Sequence, residues 1–289
     1  MILKLSWEAD RFLQVRGFAR AAILLIALRI GVNTAFSQAF EKVAINVASS
    51  PDPRTTHVRV TSNGDLTARS VDVIDLLSYA YEVPSNPSPR LKSLPGWAVD
   101  DRYDIDAKAA AYAFAPGSQD SDAQARLQEM IRRLLAERFS LVMHVEHERM
   151  PAYALVVSGS GPRLRKSAVT AKDCILDSAP EGCHYFAVGF GHPLDANAIS
   201  MDDLAHYIEN WADLPVVNRT HLSGLFTVQT DGWQPMRLPP PPPNGNGNVN
   251  FGNLSTIFTV LGKLGLDLHR QEEIVPVYTV ERIEHPPVN

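Results

Sequence analysis

The segment Leu127–Val157, LQEMIRRLLAERFSLVMHVEHERMPAYALVV, decides the fold. Its first part predicts an amphipathic helix, because apolar residues recur three and four positions apart: Leu127, Met130, Ile131, Leu134 and Leu135. From Leu141 the apolar period changes to two, which is typical of a strand. Met150-Pro151 interrupts this strand, because proline cannot donate to a central ladder. The segment is therefore interpreted as helix, strand, turn and strand.

A similar pattern occurs near the C-terminus, in Leu254–Arg282 (LSTIFTVLGKLGLDLHRQEEIVPVYTVER). A shift of 125 residues aligns five identical pairs: Leu141/Leu266, His144/His269, Glu148/Glu273, Pro151/Pro276 and Tyr153/Tyr278. Upstream, Asp72–Tyr79 resembles Ser200–Tyr207 at a shift of 128. Both octapeptides begin as a helix capping box, with an N-cap residue and an Asp three positions later. We interpret these similarities as an internal duplication.

The predicted fold class is α+β, with two similar lobes that each pack two helices on a small, mostly antiparallel sheet. The first lobe is predicted at residues 40–165 and the second at 196–289, with a Cys-containing linker at 166–195. A loop rich in Pro, Asn and Gly is predicted at 235–250 of the second lobe, because five consecutive prolines and Asn-Gly repeats cannot form a core element.

Residues 1–39 are predicted to be a signal peptide or an N-terminal membrane anchor. Arg11, Arg16 and Arg20 precede the apolar run Ala21–Leu28, and small residues follow it, with cleavage expected after Ser37 or after Ala39. The run is short for a transmembrane helix, and a buried N-terminal helix is the structural alternative. The protein is therefore expected to be exported, to the periplasm, the outer envelope or the medium.

The charge balance argues against a nucleic-acid partner. The 289-residue chain has a net charge of −5, and residues 40–289 alone carry 22 basic (27 − 5) and 30 acidic (32 − 2) side chains, a net charge of −8. Nucleic-acid binding needs a basic surface, and so does binding to anionic lipid headgroups. Membrane contact is therefore expected only through an uncleaved N-terminus.

Several motifs together resemble one known family: Phe40–Ile45, Asp75–Tyr81, Pro95–Trp97, Asp101–Lys108, Leu135–Phe139, Pro151–Val157, Gly161–Leu164 and Pro215–Gly224. They resemble the soil-associated exported protein family that is expanded in acidobacterial genomes. The resemblance spans almost all of the chain after residue 39. It implies an exported location and this architecture, but no activity. Related domains fused to membrane metallopeptidases of the antirepressor-sensor type imply, by association, a sensing or binding role.

Each half of the chain also resembles the short N-terminal domain of secretins and TonB-dependent receptors. The residues that carry this second resemblance are a helix that begins just after a strand and the strand entry Leu264–Leu268 (LGLDL). It implies a module for protein–protein contact in the cell envelope.

The two cysteines, Cys174 and Cys183, are a disulfide candidate, because the chain is expected to be exported. The alternatives are two free thiols, or a zinc site that would add His184 and His192. The spacing of these four residues is not a standard zinc spacing.

A polar cluster, His144, Glu146, His147 and Glu148, could in principle carry acid–base chemistry. It is not HExxH, which places both histidines on one helical face. On a strand, residues 144, 146 and 148 share one face and His147 takes the other. The carboxylates Asp100, Asp101, Asp104 and Asp106 could bind a hard cation, or could form a solvated strand face.

None of these residues forms a catalytic, cofactor-binding or metal-binding signature that we assign, and no cofactor is expected. The sequence favours a non-catalytic envelope or secreted protein that binds a protein partner or senses one. A strand near Val277–Ile283 could pair with that partner at a sheet edge. The alternative is an extracytoplasmic hydrolase that would use the polar cluster with Asp101, Asp104 and Asp106.

Overall fold

The computed structural model describes residues 39–49, 57–85, 88–110, 113–114, 123–170, 183–187, 194–236 and 254–288. These residues form fourteen strands and five helices: β1 Phe40–Val47, β2 His57–Val60, β3 Leu66–Val71, α1 Val73–Tyr81, β4 Leu91–Lys92, α2 Trp97–Asp100, β5 Tyr103–Ala109, α3 Ala123–Arg138, β6 Val142–Val157, β7 Arg165–Lys166, β8 Tyr185–Ala187, β9 Asp195–Ile199, α4 Met201–Glu209, β10 Val216–Asn218, β11 Phe226–Gln229, β12 Trp233–Gln234, β13 Ser255–Thr256, α5 Ile257–Lys263 and β14 Leu266–Arg282.

The predicted α+β class is confirmed, because helices pack with small, mostly antiparallel sheets. All described residues belong to one compact unit. No helix among them combines the length and apolarity needed to span a membrane. The predicted signal peptide or anchor at 1–39 and loop at 235–250 lie almost entirely outside the described residues.

The first hydrophobic core lies between the antiparallel sheet β1-β5-β3-β2 and helices α1 and α3. Helix α3 buries the apolar face predicted from its spacing: Leu127, Met130, Ile131, Leu134 and Leu135. Each of these side chains contributes roughly 1.5–3 kcal/mol when fully buried. Phe139, which follows the helix, is fully buried and meets the ring of Tyr103 edge-on at 5.6 Å. Phe139 therefore fixes the C-terminal end of α3 in the first core.

The second hydrophobic core repeats this plan with the antiparallel sheet β7-β11-β9-β8 and helices α4 and α5. Both predicted capping boxes are confirmed. Asp72 accepts from the backbone N–H of Asp75 at the start of α1, and Ser200 accepts from that of Asp203 at the start of α4. In each box the acidic side chain accepts the N-cap N–H in return, which satisfies two backbone donors at the helix start.

A third sheet, β10-β6-β14-β4, connects the two cores. Its centre is an antiparallel pair, β6 with β14, in regular register from Leu266 opposite Val157 to Val280 opposite Met143. We call this pair the ribbon. The two outer strands run parallel to their neighbours, β10 beside β6 and β4 beside β14.

The predicted turn at Met150-Pro151 is wrong, because β6 continues through it as one strand of 16 residues. Tyr153 donates its N–H outward, to the backbone oxygen of Pro215. N–H groups of alternate strand residues point to the same side, so the nitrogen of Pro151 also faces outward and no ladder bond to β14 is lost. The nitrogen of Pro276 in β14 also faces outward, because Tyr278, two residues later, donates its N–H outward to the backbone oxygen of Arg90.

The two halves of the third sheet follow the 125-residue offset found in the sequence. Tyr153 and Tyr278 lie opposite Val216 and Leu91, and both pairs of residues are 125 positions apart. Their outward hydrogen bonds have the same length, 2.7 Å. Ser85 and Asn210, also 125 positions apart, contact each other directly. A duplicated chain would have this geometry, and the duplication itself stays a prediction.

The two ends of the ribbon enter different cores. Met143 and Val280 pack at the first core, whereas Leu155 and Leu268 belong to the second. The last strand of the chain therefore returns to the core that the N-terminal half builds. The predicted boundaries at 40–165, 166–195 and 196–289 stay a prediction.

Candidate functional site

The middle of the ribbon exposes one of its faces to solvent. We call it the open face, and it is formed by the pairs Val145–Tyr278, His147–Pro276, Arg149–Ile274 and Pro151–Glu272. Two of its apolar side chains are unusually accessible for a central sheet, since Val145 is 47% and Ile274 54% exposed. Apolar patches that stay exposed on a soluble protein mark interaction surfaces more often than isolated apolar residues do.

Aromatic pairs stand at both ends of the open face. Tyr278 meets Tyr81 at 5.5 Å between ring centroids, with Arg132 over the Tyr81 ring at 4.9 Å. At the other end, Tyr153 meets Phe258 at 6.1 Å, and Phe258 is 46% exposed. Tyrosine, phenylalanine and arginine are enriched at protein interfaces, so the chemistry of this surface suits a protein partner.

The open face exists because the ribbon extends from one hydrophobic core to the other, and neither core covers its middle residues. On this face Met143 and Val280 pack at one core and Leu155 and Leu268 at the other. The central residues between them have no core to enter. The alternation of the sequence therefore places apolar side chains such as Ile274 where the fold leaves them accessible.

Part of the opposite face of the ribbon, which we call the covered face, is buried, whereas His144 and Glu146 on the same face are exposed. Ala152, Ala154, Val275 and Val277 are at most 2% exposed there. Glu273 is also buried on this face, where its carboxylate accepts from the Nε and Nη2 of Arg219 at 3.1 and 2.5 Å. The Arg219 guanidinium holds the pKa of Glu273 below its usual range.

Glu148 stands at the position equivalent to Glu273 and has an equivalent partner. Its carboxylate accepts from the Nζ of Lys92 at 2.6 Å. In each half, a basic residue in or just after the parallel outer strand, Lys92 or Arg219, therefore pairs with the equivalent glutamate on the far strand of the ribbon. This arrangement gives the repeated glutamate an architectural role.

A buried ion pair joins the two cores beside this sheet. The Nε of Arg90 donates to Oε1 of Glu209 at 2.7 Å and its Nη2 to Oε2 at 3.0 Å. Glu209, the last residue of α4, also accepts from the N–H of Val216, while Arg90 donates to the backbone oxygen of Glu82 after α1. The side chains are only 9% and 3% exposed. We call the Arg90–Glu209 pair the clamp, because it links the C-terminal end of α4 to the residue just before β4.

Two histidines that are both influenced by Glu82 have opposite pKa shifts. The hydrogen bond from His184 to Asp203 (2.6 Å) raises the pKa of His184 and lowers that of Asp203, although burial of Asp203 opposes the latter shift. Burial lowers the pKa of His206, whose Nδ1 is buried without a hydrogen-bond partner among the described residues. The carboxylate of Glu82 acts on both rings and favours their charged forms.

The predicted polar cluster is divided between the two faces of β6. His144, Glu146 and Glu148 alternate on one face, opposite Thr279, Val277 and Val275, and His147 lies on the open face. His144 is 2.9 Å from a carboxylate oxygen of Glu281 and 3.8 Å from that of Glu146, and all three side chains are more than 40% exposed. Glu148 is engaged by Lys92. The hydrolase alternative would need these groups in one cleft, and the structure does not bring all four together.

The predicted aspartates lie along the first sheet, each with its own partner. Asp101 pairs with His285 at 3.0 Å, and Asp106 with Arg69 at 2.7 Å. Asp104 accepts from the backbone N–H of Ser70 at 2.9 Å. Within the part of the chain that the structure describes, no group of three or more His, Cys, Asp or Glu side chains could hold a metal ion.

Two further predictions concern the cysteines and the sheet edge. Cys174 and His192 lie outside the described residues, so the disulfide with Cys183 stays a prediction. The expectation of an edge strand at Val277–Ile283 is wrong for Tyr278 and Thr279, because β4 pairs with them on the side away from β6. The chain around β4 is rich in proline, and no sequence pattern predicts this two-residue strand.

Sequence reasoning missed the clamp and the open face. Arg90 and Glu209 are 119 positions apart, and neither belongs to a motif. The remaining signal was Glu209 itself, a charged residue on the apolar side of the predicted helix α4, where a buried partner is needed. The open face was not predicted, because the predicted turn at Met150-Pro151 divides strand β6.

A separate cavity of about 260 Å³ lies between the start of β1 and the C-terminal half of α3. Its charged lining consists of Glu41, Glu137, Arg133 and Arg138. Arg133 already pairs with Glu137 at 2.6 Å. The balance of two acids and two bases gives the cavity no preference for an anion or a cation.

Comparison with known proteins yields one match. The family model for DUF3738, described as a protein of unknown function, matches residues 74–283. This range includes the ribbon, the clamp and the second core, and it begins after strands β1, β2 and β3 of the first core. No curated protein and no solved structure matches the chain.

Proposed function

Because this chain belongs to the DUF3738 family, a protein family of unknown function, we propose its role from the geometry: it is an exported, non-catalytic interaction module that binds a protein partner on the open face. The observation that carries this proposal is the pair of accessible apolar side chains, Val145 and Ile274, in the middle of a central sheet. A sheet face of this kind is normally packed against another layer, and a partner would supply that layer.

The surroundings of the open face fit a docking surface. Arg149 and His147 are exposed beside the apolar residues, and the tyrosines at each end are held by packing. A binding surface whose backbone is already ordered loses less conformational entropy when a partner binds. The backbone of the ribbon is fixed by a regular ladder and by the ion pairs on its covered face.

The cellular location is proposed from the sequence. The N-terminal arginines and apolar run resemble an export signal, and the motifs resemble an exported family of soil acidobacteria. The repeated half resembles the secretin and TonB short domain, a contact module of the envelope. The partner is therefore expected among envelope or secreted proteins, and the two lobes are proposed to derive from one duplicated unit.

Quantitative affinity capture tests the proposal. The protein is incubated with envelope and secreted fractions of the organism that makes it, and bound proteins are identified by mass spectrometry. Val145→Glu places a charge on the open face, whereas Val47→Glu makes the same change at a 67% exposed valine of β1. We expect one partner to be retained by the wild type and the Val47 variant and lost from the Val145 variant. Equal retention by all three, or no specific partner, would contradict the proposal.

A further inference from the structure

The outer edge of β14 is open over Leu268–Ile274, since β4 covers only Tyr278 and Thr279 and no other strand of the described residues pairs with it. Tyr278 donates its N–H outward to Arg90. By alternation, the N–H groups of Ile274, Glu272, Arg270 and Leu268 also point outward. Residues 269–272 and 274 are exposed. This edge is therefore ready to accept another strand.

The charges along this edge have a self-complementary order. The sequence His269-Arg270-Gln271-Glu272-Glu273 runs from basic, through a neutral centre, to acidic. In an antiparallel pair of two identical strands centred on Gln271, Arg270 lies opposite Glu272 of the second copy, and Glu272 lies opposite its Arg270. We infer that the open edge of β14 binds the same edge of a second copy of this chain, which forms a two-fold symmetric dimer through a continuous sheet.

Hydrogen-bond direction limits the possible registers of this strand pair, and charge selects one of them. Outward-facing residues must lie opposite outward-facing residues, so the strands can shift only in steps that keep this parity. A shift of one such step places Arg270 opposite Arg270, and the opposite shift places Glu272 opposite Glu272. Opposite charges across strands stabilise a pair and like charges destabilise it. Of these three registers, only the one centred on Gln271 avoids a like-charge pair and places Arg270 opposite Glu272.

The corresponding edge of β6 does not have this property. Its outward residues are Val145, His147 and Arg149, by the alternation that Tyr153 fixes. A pair centred on His147 places Glu146 opposite Glu148, and the neighbouring registers place each glutamate opposite itself. Self-association is therefore specific to β14, as expected for a closed, isologous contact between two copies.

Sedimentation velocity of the full chain over a range of concentrations tests this inference. We expect a reversible dimer that weakens with added salt, because its cross-strand pairs are exposed. Glu272→Arg and Arg270→Glu should each weaken the dimer about tenfold or more, since two attractive pairs become repulsive. The double variant Arg270→Glu/Glu272→Arg restores opposite charges and should restore the dimer.

Glu281→Arg is the matched control, because it makes the same charge change on β14 beyond the segment that β4 covers, and it should leave the dimer intact. A wild type that stays monomeric, a dimer that survives Glu272→Arg, or a double variant that remains monomeric would each overturn the inference. The inference does not rest on the proposed function. Loss of the dimer in the charge variants is separate from loss of the captured partner in Val145→Glu.

Discussion

The Arg90–Glu209 clamp provides the sharpest test of how the two cores are joined. Glu209→Gln keeps the volume of the side chain but removes the charge that balances Arg90. With side-chain exposures of 9% and 3%, water cannot replace the lost carboxylate. Removal of one partner from a buried ion pair costs about 3–5 kcal/mol. We expect a loss in the free energy of unfolding of this size.

The matched control is Glu148→Gln, which breaks the pair with Lys92. Its side chains are 35% and 44% exposed, so solvent screens the interaction and the expected loss is at most about 1 kcal/mol. Urea unfolding followed by circular dichroism measures both variants against the wild type. Equal losses for Glu209→Gln and Glu148→Gln would refute the assignment of Arg90–Glu209 as a buried clamp.

Four further predictions concern single positions. Gly265→Ala should destabilise the protein by about 2 kcal/mol or more, because the residue has φ +70° and an added Cβ would lie 2.0 Å from a backbone oxygen. Gly262→Ala is the control: it has open space around it and should be neutral or stabilising. Thermal melts of both variants measure the difference. His206 has a pKa below its ordinary 6.5, so stability should fall as the pH drops below 6.5, and His206→Gln should remove this loss in unfolding curves measured across pH. His184 has a raised pKa, so its contribution is complete below pH 6.5 and disappears as the pH rises through the folded-state value; His184→Gln should remove that contribution, and an unchanged pH profile would contradict it. Pro151→Ala should change the free energy of unfolding by less than about 1 kcal/mol, because its nitrogen faces away from the ladder; a large loss of stability would show that the ring itself packs.

Local patterns predicted the elements that depend on local rules. The apolar face of α3 and both capping boxes follow from spacings of three and four residues, and the structure contains them as expected. These features need no knowledge of the rest of the chain.

Features that depend on distant partners could not be predicted in the same way. Whether a proline ends a strand depends on which side its nitrogen faces, and that side is fixed by the neighbouring strands. For the same reason the sequence could not show that β4 covers Tyr278, or that Arg90 meets Glu209. The polar cluster at His144–Glu148 looked concentrated in sequence, but strand alternation and Lys92 divide it in space.

The repeat was visible in sequence through identities such as Glu148/Glu273, whose reason becomes clear only in three dimensions. Each carboxylate receives a cation from a parallel outer strand or the residue just after it. Both glutamates therefore have a structural partner in the third sheet.

Hydrogen exchange of the protein with and without its captured partner tests whether the partner binds at the open face. The amides of Val145, His147 and Arg149 face outward on β6, away from the edge that we assign to the dimer. The proposed function predicts that their exchange slows when the partner binds. Unchanged exchange at these amides, with protection elsewhere on the chain, would contradict binding at the open face.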